Sequence, residues 1–415
     1  MAGIDMNVGR KIDTWVGRVL LTALFAISRL HARCGGPPQP SRQATTPPAE
    51  TEQVVPRRVL AIKLYGLGNI AMLLPVLAAL RQKHPDVELE FLSLEENRSL
   101  LERSGLVDRV LSVKAQSYAG LVVDLVRVFL SIRRRRYDLV LDFEQFIKLS
   151  TVITYLSGAR HRFGFNTDGQ GRGGLYTTRV VYRDGDHMSQ VFMRLLRPLG
   201  VERSTAPLQL RIDTDEIAAV ERLLVASGVG PERRPLVAVH VGSGPNFYKL
   251  ALKRWPPENF GKLCDLLIER HGAAIVYTGK GEEEAALVRE AMTVMKHEAT
   301  NACDRLSIGE LLALLARADL AVTNDTSVMH LAALVESPVA AFFGPTDPMQ
   351  YGPRNPHDIV LYRELFCSPC LTNYNLKISY CTNPVCIRSI GVEETSARIA
   401  RQLVSIGAVP GELAQ

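Results

Sequence analysis

From about Arg57 the chain alternates short β-branched apolar runs with longer runs of helical period, the pattern of βα units that feed a parallel sheet. In the first half "RVLAIKL", "ELEFLSL", "RVLSV" and "YDLVLDFE" read as strands, and "IAMLLPVLAALRQKH", "NRSLLERSG" and "YAGLVVDLVRVFLSIRRRR" as the helices between them. A less regular stretch, "FGFNTDGQGRGGLYTTRVVYRDGD", leads to the helical "HMSQVFMRLLRPLG". The second set opens with the helix "TDEIAAVERLLVASG". It continues through "PLVAVHVGSG", "ENFGKLCDLLIERHG", "AAIVYTGKGEEEAALVREAM", "SIGELLALLARA", "DLAVTND", "SVMHLAALVE" and "PVAAFFG". The pattern predicts an α/β protein in two halves, residues 57–230 and 231–415, which meet near Pro231 and place a ligand site in the cleft between them.

Residues 1–56 break this rhythm. The apolar stretch of "TWVGRVLLTALFAISRL", Val19 to Ile27, falls well short of the roughly 20 residues that span a bilayer. No small-residue cleavage site clearly follows it. Residues 1–34 are expected to form an amphipathic helix lying on a membrane surface, with Trp15, Arg18, Arg29 and Arg33 at headgroup level; a helix docked on its own protein is the alternative. Residues 35–56, rich in Pro, Ser, Thr and Gly, read as a linker.

Composition narrows the class. A chain of 415 residues can bury two ordinary cores, and a hydrophobic fraction of 47% with 22% charged residues excludes a disordered or fibrous protein. The formal net charge of +6 suits an anionic ligand or an anionic membrane surface and proves neither. Seven cysteines, an odd number without a secretory signal, favour a reducing compartment. Four of them, Cys367, Cys370, Cys381 and Cys386, follow a C-x2-C-x10-C-x4-C spacing that can surround a structural zinc ion with thiolates. Reduced cysteines also pack as small apolar side chains.

Two loops at predicted strand ends in the second half have the chemistry of anion sites. In "TNDTSVMH" the strand "DLAVTND" runs into a helix whose first turn offers unpaired backbone N–H groups, the hydroxyls of Thr326 and Ser327, and His330 one turn on. Asp325 would repel a phosphate directly, so it is expected to cap backbone or meet a hydroxyl. An N-capped helix with a satisfied histidine explains the same residues. In "GSGPNFYKLALKRWPPENF", Gly242 and Gly244 allow close backbone approach, Ser243 donates, and Lys249, Lys253 and Arg254 carry charge. A third loop, "YTGKGEEEAA", offers Glu282 to Glu284 either to ribose hydroxyls or as a favourable acidic first turn. In the first half "KLYGLGNIAMLLP" lacks the third glycine of a dinucleotide fingerprint, and "LDFEQFIKLS" puts Asp142, Glu144 and Lys148 at a strand end. The run Arg133 to Arg136 closes an apolar helix, either as a solvated helix end or facing anionic lipid.

Taken in order, these segments resemble glycosyltransferase family 9, the ADP-heptose:lipopolysaccharide heptosyltransferases. The resemblance rests on "GLGNIAMLLPVLAALRQKHP", "LEFLSLEENRSLLE", "HMSQVFMRLLRPLG", "KRWPPENFGKL", "NDTSVMHLAALVESPVAAFFGPTDP" and "CSPC", and it extends from about Arg57 to Arg401. It implies a GT-B architecture, two Rossmann-like domains facing a central cleft, with acceptor on the N-terminal domain and nucleotide sugar on the C-terminal one. Ser243, Gly244 and Lys253 would then approach the donor phosphates, and Asp325, Thr326, Ser327 and His330 would bind the nucleotide and its pyrophosphate. The implied chemistry is an inverting displacement at an anomeric carbon that needs no cofactor or metal: a base takes the acceptor proton, while hydrogen-bond donors and a lysine stabilise the departing diphosphate. The implied partners are a nucleotide-diphosphate sugar, a lipid-linked or surface glycan and an anionic membrane surface, with no nucleic acid. The implied location is cytoplasmic, peripheral at the inner face of the cytoplasmic membrane.

One position departs from the family. Its members carry a Gly-Asp pair whose aspartate is the proposed base, and this chain has Gly68-Asn69. An amide does not accept a proton at neutral pH. Asp142 or Glu144 is expected to substitute. The rival readings are a degenerate protein that binds nucleotide sugar without turnover, and a GT-B nucleotide-sugar epimerase, whose acidic and histidine constellation is not evident.

Overall fold

The computed structural model describes residues 13, 22, 24, 54–114, 118–203, 208–230, 235–244, 251–375 and 377–410. Most of the expected surface helix and linker, and Lys249, lie outside them. The chain forms two compact units divided between Leu208 and Gln209. The division falls before the helix Thr214–Ala226 and not near Pro231, because Val220, Leu223 and Leu224 of that helix are buried and it packs on the helix Ile308–Arg317 of the second unit.

The first unit is built on six parallel strands: β1 (Arg58–Ile62), β2 (Glu88–Leu94), β3 (Arg109–Val113), β4 (Leu139–Asp142), β5 (His161–Asn166) and β6 (Thr178–Val181), in the order β3-β2-β1-β4-β5-β6. The second repeats this plan with β7 (Leu236–His240), β8 (Ala274–Thr278), β9 (Thr300–Asn301), β10 (Leu320–Asn324), β11 (Val339–Phe343) and β12 (Ile359–Tyr362), in the order β12-β11-β10-β7-β8-β9. Strands buried on both faces explain the nearly continuous apolar runs in the sequence. In each unit the winding reverses between two central strands, β1 and β4 or β7 and β10. Loops at their carboxyl ends diverge there and leave room for a ligand.

A fully buried aromatic group anchors the second unit. Trp255 stacks on Phe342 with centroids 4.1 Å apart, Phe260 meets both edge-on, and the indole N–H donates to the carbonyl of Ile390 at 2.9 Å. This clamp fixes the segment that carries Lys253 and Arg254. Among the described residues no helix is long and apolar enough to cross a membrane.

Candidate functional site

In the second unit the side chains converge at the β7/β10 switch point. Asn324, the last residue of β10, is fully buried. Its amide donates to the carbonyls of Val241 (2.7 Å) and Gly242 (3.1 Å) and accepts from the Trp255 backbone at 2.9 Å. One side chain thus ties three segments together at the strand ends. Next along the chain, Asp325 takes an ion pair from Lys253 at 2.7 Å and a hydrogen bond from the Thr346 hydroxyl at 2.7 Å on the same oxygen. Burial would raise the Asp325 carboxyl, but the Lys253 charge and hydrogen bond, with Thr346, hold it below the ordinary value. Asp325 therefore orients Lys253. The ammonium uses one of its three N–H groups on it and keeps a 19% exposed side chain.

Thr326 caps the helix Ser327–Leu334: its hydroxyl accepts from the Val328 N–H at 3.0 Å and still has its own proton to donate. Ser327 is half-buried on the first turn and His330 is buried one turn later. On the neighbouring loop Ser243 accepts from Arg254 at 3.0 Å, and Arg254 also reaches Glu283 at 2.7 Å. Gly244 departs from expectation, because its N–H donates to Glu284 at 3.0 Å and is not presented to a ligand. Glu284 also accepts from the Lys280 backbone at 2.8 Å and stands 3.6 Å from His240. Burial opposes its ionisation, yet His240 and the two backbone donors bring its carboxyl down to about 2. A Cβ at Gly242 would run into this carboxylate, so a larger residue there would displace Glu284 from its partners. Asn324, Thr346 and Glu284 are framework residues that the sequence reading passed over or treated as a helix start.

In the first unit the β1 loop carries Asn69, half-buried at the start of the helix Leu67–Lys83. Gly66 sits at φ 90°, and a Cβ there would come within 2.8 Å of the Asn69 amide. Neither expected substitute base is presented to a substrate. Asp142 is fully buried, where one oxygen receives Arg172 (2.9 Å), Ser150 (2.9 Å) and Tyr176 (2.6 Å), and the other receives the Glu144 N–H at 3.1 Å. Burial pushes its carboxyl up against the pull of Arg172 and the hydroxyl donors. Glu144, 3% exposed, pairs with buried Lys63 at 2.7 Å and accepts from the backbones of Leu64 (2.7 Å) and Tyr65 (3.2 Å). Both carboxylates brace the β1 and β4 ends. Lys148 donates to Gln170 at 2.9 Å.

A residue from the N-terminal segment enters the same region. The Asp13 carboxylate accepts from the N–H groups of Lys148 (3.0 Å) and Leu149 (2.7 Å), closing the helix Lys148–Leu156. Leu24 packs with Tyr155 and Leu156 on Val152 and Leu175. These two residues therefore dock on their own protein. The Tyr65 hydroxyl is pushed up to about 12 by burial and by the carboxylates of Glu144, Asp13 and Glu96 around it. Of those three, Glu96 is exposed, on the turn Glu95–Asn97 after β2.

The four-cysteine expectation is not met as a preformed centre. Among the described residues no three His, Cys, Asp or Glu side chains are placed to hold a metal ion. All four are free cysteines, and burial raises the Cys386 thiol to about 11, with the thiols of Cys370, Cys381 and Cys367 adding to the rise.

Two doubly wound units of this kind are the α/β architecture of the GT-B glycosyltransferases. Residues 125–380 match the model of glycosyltransferase family 9 (heptosyltransferase), and the chain belongs to that family. It is 24% identical over 317 residues to the lipooligosaccharide heptosyltransferase 2 of Haemophilus ducreyi, covering 73% of this chain and 88% of that one. Among solved structures it is similar to the glycosyl transferase family 9 protein of Veillonella parvula, with TM-score 0.71, 22% identity, and 84% of this chain and 97% of the other covered. It is also similar to the ADP-heptose lps heptosyltransferase II of E. coli, with TM-score 0.65, 19% identity, and 85% and 100% covered.

Proposed function

We propose that the protein transfers a sugar, heptose or a close relative, from a nucleoside-diphosphate donor to a lipopolysaccharide-type glycan, inverting the anomeric configuration. The observation that carries this reading is the Lys253–Asp325 pair of 2.7 Å beside the N-terminus of the helix Ser327–Leu334. Charge develops on the β-phosphate as the sugar departs. A lysine held in place by a buried carboxylate, with Thr326 and Ser327 hydroxyls and helix N–H groups, is prepared to receive that charge. The second unit takes the donor in this reading and the first takes the acceptor, with Lys253 supplying the cationic charge and no cofactor called upon. The heptosyltransferase names of the relatives point to the same donor class. An acceptor of that kind is made at the inner face of the cytoplasmic membrane, where we place the enzyme.

The acceptor proton needs a carboxylate that a substrate can touch. Asp142 is sealed and Glu144 is spent on Lys63 and two backbone donors. Glu96 is exposed, on a turn that packs against the helix starting at Leu67 and is tied to the β1 loop by the Asn97 amide on the Leu64 carbonyl at 3.0 Å. We assign it the role that Asn69 cannot fill.

The test is sugar-dependent release of nucleoside diphosphate by the purified protein from a panel of nucleotide sugars, with membrane extract as acceptor. Lys253→Ala is expected to lower kcat/KM by about 10²–10³-fold, the usual effect of deleting one such donor. Binding of nucleotide sugar without release would overturn the transferase and leave the degenerate binder.

A further inference from the structure

We propose that the outer face of the helix Tyr118–Arg135 is the surface on which the first unit rests against an anionic lipid bilayer. This deepens the reading above, since it rests on a lipid-linked acceptor. Val122, Val126 and Leu130 stand four residues apart on one row of the helix and Val123 adjoins them; all four are between 47% and 60% exposed. The opposite face is spent on the protein, with Val128 and Ile132 buried and Leu121 and Leu125 packed on the core of the unit. From Val122 to Leu130 the row runs about 12 Å along the axis. Four large aliphatic side chains on one helix face form a contiguous patch, where scattered exposed residues would need no explanation.

Charge selects the occupant. The helix holds one acid, Asp124, and it is paired with Arg127 at 3.2 Å and accepts the Lys114 N–H at 3.0 Å. Its last turn holds Arg133, Arg134 and Arg135, and Arg136 follows. Arg135 is drawn inward to Glu88 and Glu90, and Arg133 donates to the Leu156 carbonyl, while Arg134 and Arg136 are exposed. An apolar row with cations at its end suits acyl chains below and phosphate headgroups beside it. A second copy of this face would bring like charges together. The described residues Asp13 and Leu24 do not supply this contact: Asp13 accepts from the N–H groups of Lys148 and Leu149, and Leu24 packs on Val152 and Leu175.

The experiment is cosedimentation of the full chain with vesicles of phosphatidylcholine alone and of phosphatidylcholine with phosphatidylglycerol, at low and high salt. Binding is expected to the anionic vesicles and to weaken with salt. The triple variant Val122→Ser, Val126→Ser, Leu130→Ser should bind about tenfold more weakly or worse. Arg134→Gln with Arg136→Gln should lose roughly fivefold per arginine on anionic vesicles only. Val126→Trp should shift its emission to the blue when anionic vesicles are added. Unchanged vesicle binding by the triple variant overturns the proposal. So does a wild-type dimer that the triple variant converts to monomer while neither binds vesicles. Nucleoside-diphosphate release with a water-soluble acceptor reads the transferase separately: it should be unchanged in the triple variant, and its absence in the wild type would count against the function and not against the surface.

Discussion

At the residue scale, the open chemical problem is the acceptor proton, because Asn69 stands where a carboxylate is expected. The strand-end motif "LDFEQ" offered two replacements, and both are consumed by folding. Asp142 holds Arg172, and Glu144 holds Lys63 and the β1 loop. That outcome was not legible in the sequence, since the cations that claim them come from positions 30 and 81 residues away. Only the fold reveals which carboxylate stays accessible. Glu96 does, and crowding by neighbouring chain raises its carboxyl above the ordinary value. A base works when ionised, so kcat/KM should climb as pH rises through a group above the usual glutamate value of about 4.3. Glu96→Gln is expected to reduce kcat by about 10²–10⁴-fold and remove that limb, with KM for the donor unchanged. A Glu96→Gln enzyme with wild-type kcat and pH profile would return the problem to an unidentified base.

At the scale of elements, the alternating apolar runs were enough to read the strands of both sheets' centres, because a strand covered on both faces must be apolar along its length. In the second sheet the strands missed were marginal ones. β9 has only two residues and carries no period, and β12 is an edge strand with three of its four residues half-buried. The segment 163–186 reads as irregular because its order comes from side chains: Arg172 is fully buried and reaches Asp142, Ser150, Thr151 and Tyr176. This network ties β4 to the connection between β5 and β6. Removing one member of a buried pair strands the other, so Asp142→Ala should destabilise the first unit by about 3–5 kcal/mol, read by thermal or denaturant melts. Asp142→Leu combined with Arg172→Met should recover most of that loss. If Asp142→Ala melts like the wild type, the network is not what holds the connection.

At the scale of the whole molecule, two units of the same winding carry different residues at corresponding places. In the first unit the loops at the β1/β4 switch point are braced by carboxylates. In the second the β7/β10 switch point gathers a lysine, hydroxyls and a helix N-terminus. The second unit was the more legible of the two because its chemistry lies in contiguous motifs, "NDTSVMH" and "KRWPP". What the sequence withheld was the division of labour, with Asp325 orienting Lys253 and Glu284 occupying the Gly244 N–H. If this arrangement holds a nucleoside diphosphate, ADP titrated calorimetrically into the full chain should bind there. Lys253→Ala should weaken Kd at least about tenfold, as expected for a charge-assisted contact worth ~1.5–3 kcal/mol. Lys280→Ala, at a side chain 79% exposed, should leave it unchanged. Equal ADP affinity in the wild type and Lys253→Ala, or no binding by the wild type, would rule out a diphosphate site at Lys253.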